Sequence, residues 1–95
     1  MQVRWTPGAR GDLLELVKYI AQDRPDAARK MAKRLRAATE HLGEFPEMGR
    51  MVPEFSNPEL RERIVPPYRL IYSTAGNTIR IVAIVHSRRL LEPDE

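Results

Sequence analysis

"LRERIVPPYRLIYSTAGNTIRIVAIVH", residues 60–86, contains three strand-like runs separated by two turn signals. "LRERIV" at 60–65 stops at Pro66-Pro67, "YRLIYS" occupies 68–73, and "AGN" turns the chain into "TIRIVAIVH" at 78–86. Gly-Asn between β-rich runs is a hairpin signal. Strand side chains alternate between two faces, so Arg69 shares a face with Ile71 while Tyr68, Leu70 and Tyr72 point the other way. The last run is apolar on both faces except at Arg80 and His86, the pattern of a strand in the middle of a sheet.

Upstream, "VRWT" at 3–6 reads as a short first strand that pairs with the last one. Thr6-Pro7 is a helix start, with Thr6 as N-cap and Pro7 in the first turn. Ala9, Leu13, Leu16, Val17 and Ile20 recur at three- and four-residue spacing and form one apolar stripe, predicting a helix over 7–22. Leu14 and Tyr19 lie off that stripe. Pro25 restarts the pattern, and Ala28, Met31, Leu35, Ala38 and Leu42 predict a second helix over 25–44. A linker of a few residues makes the two helices antiparallel neighbours. "GEFPEMGRMVPEFSNPE", with three prolines and two glycines, reads as a connector. The expected architecture is α+β, in the order β-α-α-β-β-β. A two-helix hairpin packs on one face of a small, mostly antiparallel sheet of about four strands, and residues 1–95 form one domain.

That layout predicts a core between helices and sheet made of Leu13, Leu16, Val17, Ile20, Met31, Leu35, Leu42, Leu70, Ile79, Ile81 and Val85. The opposite sheet face would carry Val82 and Ile84 between Arg80 and His86, next to Arg69 and Ile71, with Arg61 and Arg63 on the preceding strand. Arg69 would then line a shallow, partly open basic surface. The competing reading pairs these arginines with a local acid, Glu62 or Glu54.

Apolar residues at 42% and charged residues at 31% are ordinary for a globular chain, which argues against disorder. The absence of cysteine removes disulfides and thiolate metal sites and fits a reducing compartment. No apolar run reaches the ~20 residues that span a bilayer, so a soluble cytoplasmic protein with no membrane partner is expected. The net charge of +3 is carried mainly by arginine, the residue suited to bidentate recognition of phosphate or carboxylate. His41 and His86 are far apart in the chain, and no metal or other cofactor is expected. The chain contains neither a glycine-rich phosphate loop nor a nucleophile elbow.

"VRWT", "ARGDLLELVKYIAQD", "PDAARK", "FPEMGR", "LRERIV", "YRLIY" and "VHSRR", taken in this order and spacing, resemble the RelE/ParE toxin superfamily of bacterial toxin–antitoxin pairs. The resemblance covers nearly the whole chain and implies two helices on a small antiparallel sheet. It also implies a cognate antitoxin as partner, held on an apolar groove or a sheet edge, with Leu14, Tyr19, Arg29 and Lys33 as candidate antitoxin contacts.

Two activities are known in the superfamily. RelE-like members cleave messenger RNA in the ribosome with basic residues on the sheet and a histidine or tyrosine near the C-terminus. That reading assigns Arg61, Arg69 and His86 to catalysis. ParE-like members poison DNA gyrase by protein–protein contact. That reading makes Arg61, Arg63, Arg69, Arg80, His86, Arg88 and Arg89 target-binding residues, with no catalytic group. The absence of lysine beyond residue 33, and of an aromatic residue after His86, places the chain closer to the ParE-like branch. An inactive relative that serves only as a binding module is the third reading.

Overall fold

The computed structural model describes residues 1–92. β1 (Gln2–Trp5) leads into α1 (Pro7–Ala21) and α2 (Pro25–Ala37), followed by β2 (Arg50–Met51), β3 (Leu60–Val65), β4 (Tyr68–Ser73) and β5 (Thr78–His86). One five-stranded sheet results, in the order β1-β5-β4-β3-β2. β1 runs parallel to β5, with Val3 against Ile79, and the other pairings are antiparallel. The expected α+β architecture is therefore present. The fifth strand, β2, is two residues long and too short to leave a periodic signal.

The helix starts follow local chemistry. Thr6 Oγ accepts the Ala9 N–H at 3.1 Å and donates to the Ile81 carbonyl at 2.9 Å, so one hydroxyl caps α1 and ties it to β5. Pro25 occupies the first turn of α2. This second helix ends at Ala37 rather than near residue 44. Thr39, Glu40 and Leu42 donate to carbonyls three residues back, and Thr39 Oγ also donates to the Arg36 carbonyl at 2.8 Å. The chain thus tightens into successive turns. Leu42 remains fully buried all the same.

The helix-side core joins Ala9, Leu35, Leu42, Val65, Leu70, Tyr72, Ile79, Ile81 and Ile84. Leu13, Leu16 and Met31 pack on it only half-buried, and Val17 and Ile20 of α1 are half-buried as well, although all five were expected inside. α1 lies on α2 and β5, and the outer flank of the hairpin stays uncovered.

A register shift opposite Ile71/Tyr72 changes the expected facing of β5. Tyr72 pairs with Ile81 but Ile71 pairs with Ala83, so Val82 is the extra residue. Beyond it every side chain changes face. Ile84 joins the helix-side core and Val85 the opposite cluster, the reverse of their expected positions. The far face is not open either. Val52, Ile71 and Val85 form a second buried cluster, covered by Phe55 of the connector and Leu91 of the tail. Connector and tail close a surface that the sequence reading leaves partly exposed.

The connector is fixed by Tyr72, which is completely buried. Its hydroxyl donates to the Pro46 carbonyl at 2.7 Å and accepts the Gly49 N–H at 2.9 Å. A Cβ on residue 49 would lie 2.5 Å from the Glu62 carbonyl oxygen and 2.8 Å from the Tyr72 ring, so this close approach requires glycine.

Candidate functional site

Arg69 is buried, with 5% of its surface exposed. Its Nε–H donates to Glu62 Oε1 at 2.7 Å. Nη1 donates to Glu54 Oε2 at 2.7 Å and to the Arg89 carbonyl at 3.1 Å, and Nη2 donates to Glu54 Oε1 at 2.6 Å. Arg50 Nε closes the chain on Glu62 Oε2 at 2.6 Å. The Leu91 N–H donates to Glu54 Oε2 at 2.9 Å. Two arginines thus balance two glutamates, one of them with no exposed side-chain surface. The network binds connector, β2, β3, β4 and C-terminal tail together. All three guanidinium nitrogens of Arg69 are engaged, which corrects the expectation of a free cation on an open face. The pairing with Glu62 and Glu54 is the one the structure contains.

Hydrogen bonding to Arg69, reinforced by the Leu91 N–H, holds the Glu54 carboxyl at about 2, below its ordinary value of 4.5. The same carboxylate raises the pKa of Arg69. A depressed carboxyl contributes stability above its unfolded value and loses it as pH falls through the folded one. Urea midpoints of the native protein should therefore fall between about pH 4.5 and 2. Glu54→Gln should be less stable at neutral pH, and its deficit relative to the native protein should narrow across this window. A deficit of constant size from pH 7 to pH 2 would show that Glu54 does not titrate in its ion pair.

The remaining predicted arginines do not gather around Arg69. Arg61 stands opposite Tyr72 and Arg63 opposite Leu70, which puts both on the helix-side face. Arg61 donates to the carbonyls of Gly49 at 2.9 Å and Pro58 at 3.2 Å. Arg80 is exposed between Ser73 and Arg4 in the register. Arg88 and Arg89 lie in the exposed turn after β5. The bulge brings His86 to the helix side, opposite Tyr68, with the two rings edge-on at 6.0 Å. His86 Nδ1 accepts the Arg88 N–H at 3.1 Å. Among the described residues, no group of three or more histidines and carboxylates is placed to hold a metal ion.

The candidate antitoxin residues also separate. Leu14 is 56% exposed and lines a groove of about 570 Å³ with Trp5, Leu13, Val17 and Ala32, between Arg10 and Arg36. Tyr19, 74% exposed, lies on the other side of α1 in a second pocket with Tyr68, His86 and Arg89. Arg29 pairs with Asp26 on the surface of α2, and Lys33 is exposed on the same helix. Sequence reasoning missed Trp5, Arg10 and Arg36 as groove residues. The period of α1, which puts Arg10, Leu13, Leu14 and Val17 on one flank, is the signal that identifies this side.

Residues 3–91 match the family described as "ParE toxin of type II toxin-antitoxin system, parDE". The chain is 43% identical over 90 residues to toxin RelE2 of Caulobacter vibrioides, covering 94% of this chain and 98% of the relative. It is 32% identical over 91 residues to the putative toxin Y4kP of Sinorhizobium fredii, with 93% and 90% covered. A chain of the chromosomal ParDE toxin–antitoxin system from P. aeruginosa superposes with a TM-score of 0.76 at 21% identity, over 90% of this chain and 95% of that one, and shares the fold. This architecture is that of a small type II toxin. The chain belongs to the ParE toxin family, within the RelE/ParE superfamily, and membership implies a cognate antitoxin. Among the described residues, no helix is long and apolar enough to cross a membrane.

Proposed function

We propose that this toxin acts by protein–protein contact on DNA gyrase, stopping replication, and is neutralised by an antitoxin seated on its helical hairpin. The observation that carries the target reading is the dispersal of the residues a nuclease would need. Cleaving RNA requires a base at the 2′-hydroxyl and a cation at the same phosphate. Arg69 lies under the far face with its nitrogens engaged, whereas His86 and Arg61 are on the helix-side face. Arg61 and His86 face Tyr72 and Tyr68 respectively, about 13 Å apart along β4 at about 3.3 Å per residue. Among the described residues, the ring of His86 makes one hydrogen bond, accepting the Arg88 backbone N–H at Nδ1, and no carboxylate orients it as a base. Exposed Arg80, Arg88, Arg89 and His86 remain available as contacts to a protein target.

The groove beside Leu14 supports the antitoxin reading. Its apolar floor and two arginine rims suit an amphipathic segment bearing acidic residues. α2 adds Arg29, Lys30, Lys33, Arg34 and Arg36 against a single acid, Asp26.

The test is induction of the toxin without antitoxin, with cellular messages mapped by primer extension, beside a supercoiling assay on purified gyrase. The expected result is inhibited supercoiling and intact messages. Codon-phased cuts with normal supercoiling would replace this proposal with a ribonuclease.

A further inference from the structure

Connector and tail cover part of the far face of the sheet, where Phe55 and Leu91 pack against the cluster of Val52, Ile71 and Val85. Beside the edge strand β1 the same face carries exposed charge. Val3 and Trp5 turn to the helix-side core, as do Ile79 and Ile81, so Gln2, Arg4, Thr78 and Arg80 share the opposite face. Gln2, Arg4 and Arg80 are exposed there. Arg4 and Arg80 are register partners, which sets two guanidinium side chains side by side on strands about 4.8 Å apart. Like charges directly opposite one another destabilise a sheet. Neither arginine enters an ion pair among the described residues. Arg4 is held instead by a neutral group: its Nε and Nη2 donate to Gln2 Oε1 at 3.3 and 3.2 Å. That contact orients the guanidinium and leaves its charge uncancelled. Arg50 and Arg69, on the covered part of this face, are each matched to a glutamate.

We infer that Arg4 and Arg80 together receive a backbone phosphate of duplex DNA, the substrate of the proposed target, at the open β1 edge of the sheet. The identity of the duplex rests on the gyrase reading above, and the site rests on the geometry. A phosphodiester offers two anionic oxygens, one for each of two adjacent guanidinium groups. Ser73, opposite Arg80, and Thr78 and Gln2 on the same face add hydroxyl and amide groups. These side chains accompany arginine at phosphate and sugar. A protein partner fits less well. Protein interfaces centre on buried aromatic or apolar anchors, whereas the exposed side chains of this strip are polar or charged. β1 has a neighbour on one side only, so no strand beyond Arg4 stands in the way of a duplex.

The experiment measures binding of a fluorescent duplex DNA oligonucleotide across a salt series, for native toxin and for the double variant Arg4→Gln/Arg80→Gln. Affinity at low salt should fall about 10-fold in the double variant, the scale of one charged hydrogen bond. The slope of log affinity against log salt should fall by about 1, as for one phosphate no longer neutralised. Lys18→Gln/Arg24→Gln removes the same charge from exposed helix positions and should keep the native slope. Arg80→Glu separates binding from folding: the new carboxylate can pair with Arg4, so the urea midpoint should stay level or rise while DNA binding is lost. Native toxin that does not bind the duplex overturns the inference. So does an equal loss in the Lys18/Arg24 control, which would mean attraction by net charge alone. Unchanged duplex binding in the double variant, with lost binding of single-stranded RNA or of the co-expressed antitoxin, overturns it in favour of that partner. Inhibited supercoiling without DNA binding by the toxin removes this inference and leaves the gyrase reading. Duplex binding that depends on both arginines, beside normal supercoiling, removes the gyrase reading and leaves the site.

Discussion

Arg69→Ala is expected to destabilise the protein by about 3–5 kcal/mol, the cost of breaking a buried ion pair and leaving charge behind. The charge left behind is specific. Glu62, with no exposed side-chain surface, would keep only Arg50, whose own side chain is 62% exposed. Glu54 would lose both of its guanidinium donors and retain the Leu91 N–H. A cycle with Glu62→Gln isolates the cause. If the uncompensated carboxylate is responsible, Glu62→Gln should cost little, or restore stability, once Arg69 is gone. A urea-denaturation loss below about 1 kcal/mol for Arg69→Ala would show that the network is not closed as described. Lost toxicity in this variant is therefore to be read beside its folding midpoint, because Arg69 acts on the fold before it acts on any target.

Leu35→Ala should cost about 2–5 kcal/mol, the range for truncating a buried leucine. Leu35 has no exposed surface and belongs to the helix-side core shared by α2, the turns that follow it, and the sheet. Neighbouring stripe residues such as Leu13 and Val17 are half-buried at the groove, and their truncation should cost less in the free protein. A midpoint shift worth under about 1 kcal/mol for Leu35→Ala would place the hairpin differently on the sheet.

Helix starts, the hairpin at Gly76-Asn77 and the pairing of the first strand with the last were all legible from caps, turn residues and periodicity, and β5 is interior as expected, although β4 rather than β5 is the middle strand. The faces of the arginines were legible too, but misread. A two-residue connection at Pro66-Pro67 pairs Val65 with Tyr68, which puts Arg61 and Arg63 across from Tyr72 and Leu70 rather than with Arg69. The bulge at Val82 was not legible. It lies within "TIRIVAIVH", a run apolar on both faces, where a slip of one position exchanges one hydrophobic side chain for another and leaves no trace in the pattern. Glu54 as a partner of Arg69 was a named possibility, and the choice between it and an open basic face depended on where a long connector returns. Periodicity carries no information on that path.

The parallel pairing of β1 with β5 joins the start of the chain to its last strand: Gln2 lies beside Thr78, and the N-cap of α1 closes on Ile81. During synthesis, residues 2–5 therefore wait for their neighbour until β5 has been made, and β5 is the strand through which β1 joins the rest of the sheet. A nascent chain without residues 78–86 lacks both the partner of β1 and the strand on which α1 packs. The edge strand β1 and the seat of α1 thus exist only once translation has passed the end of β5.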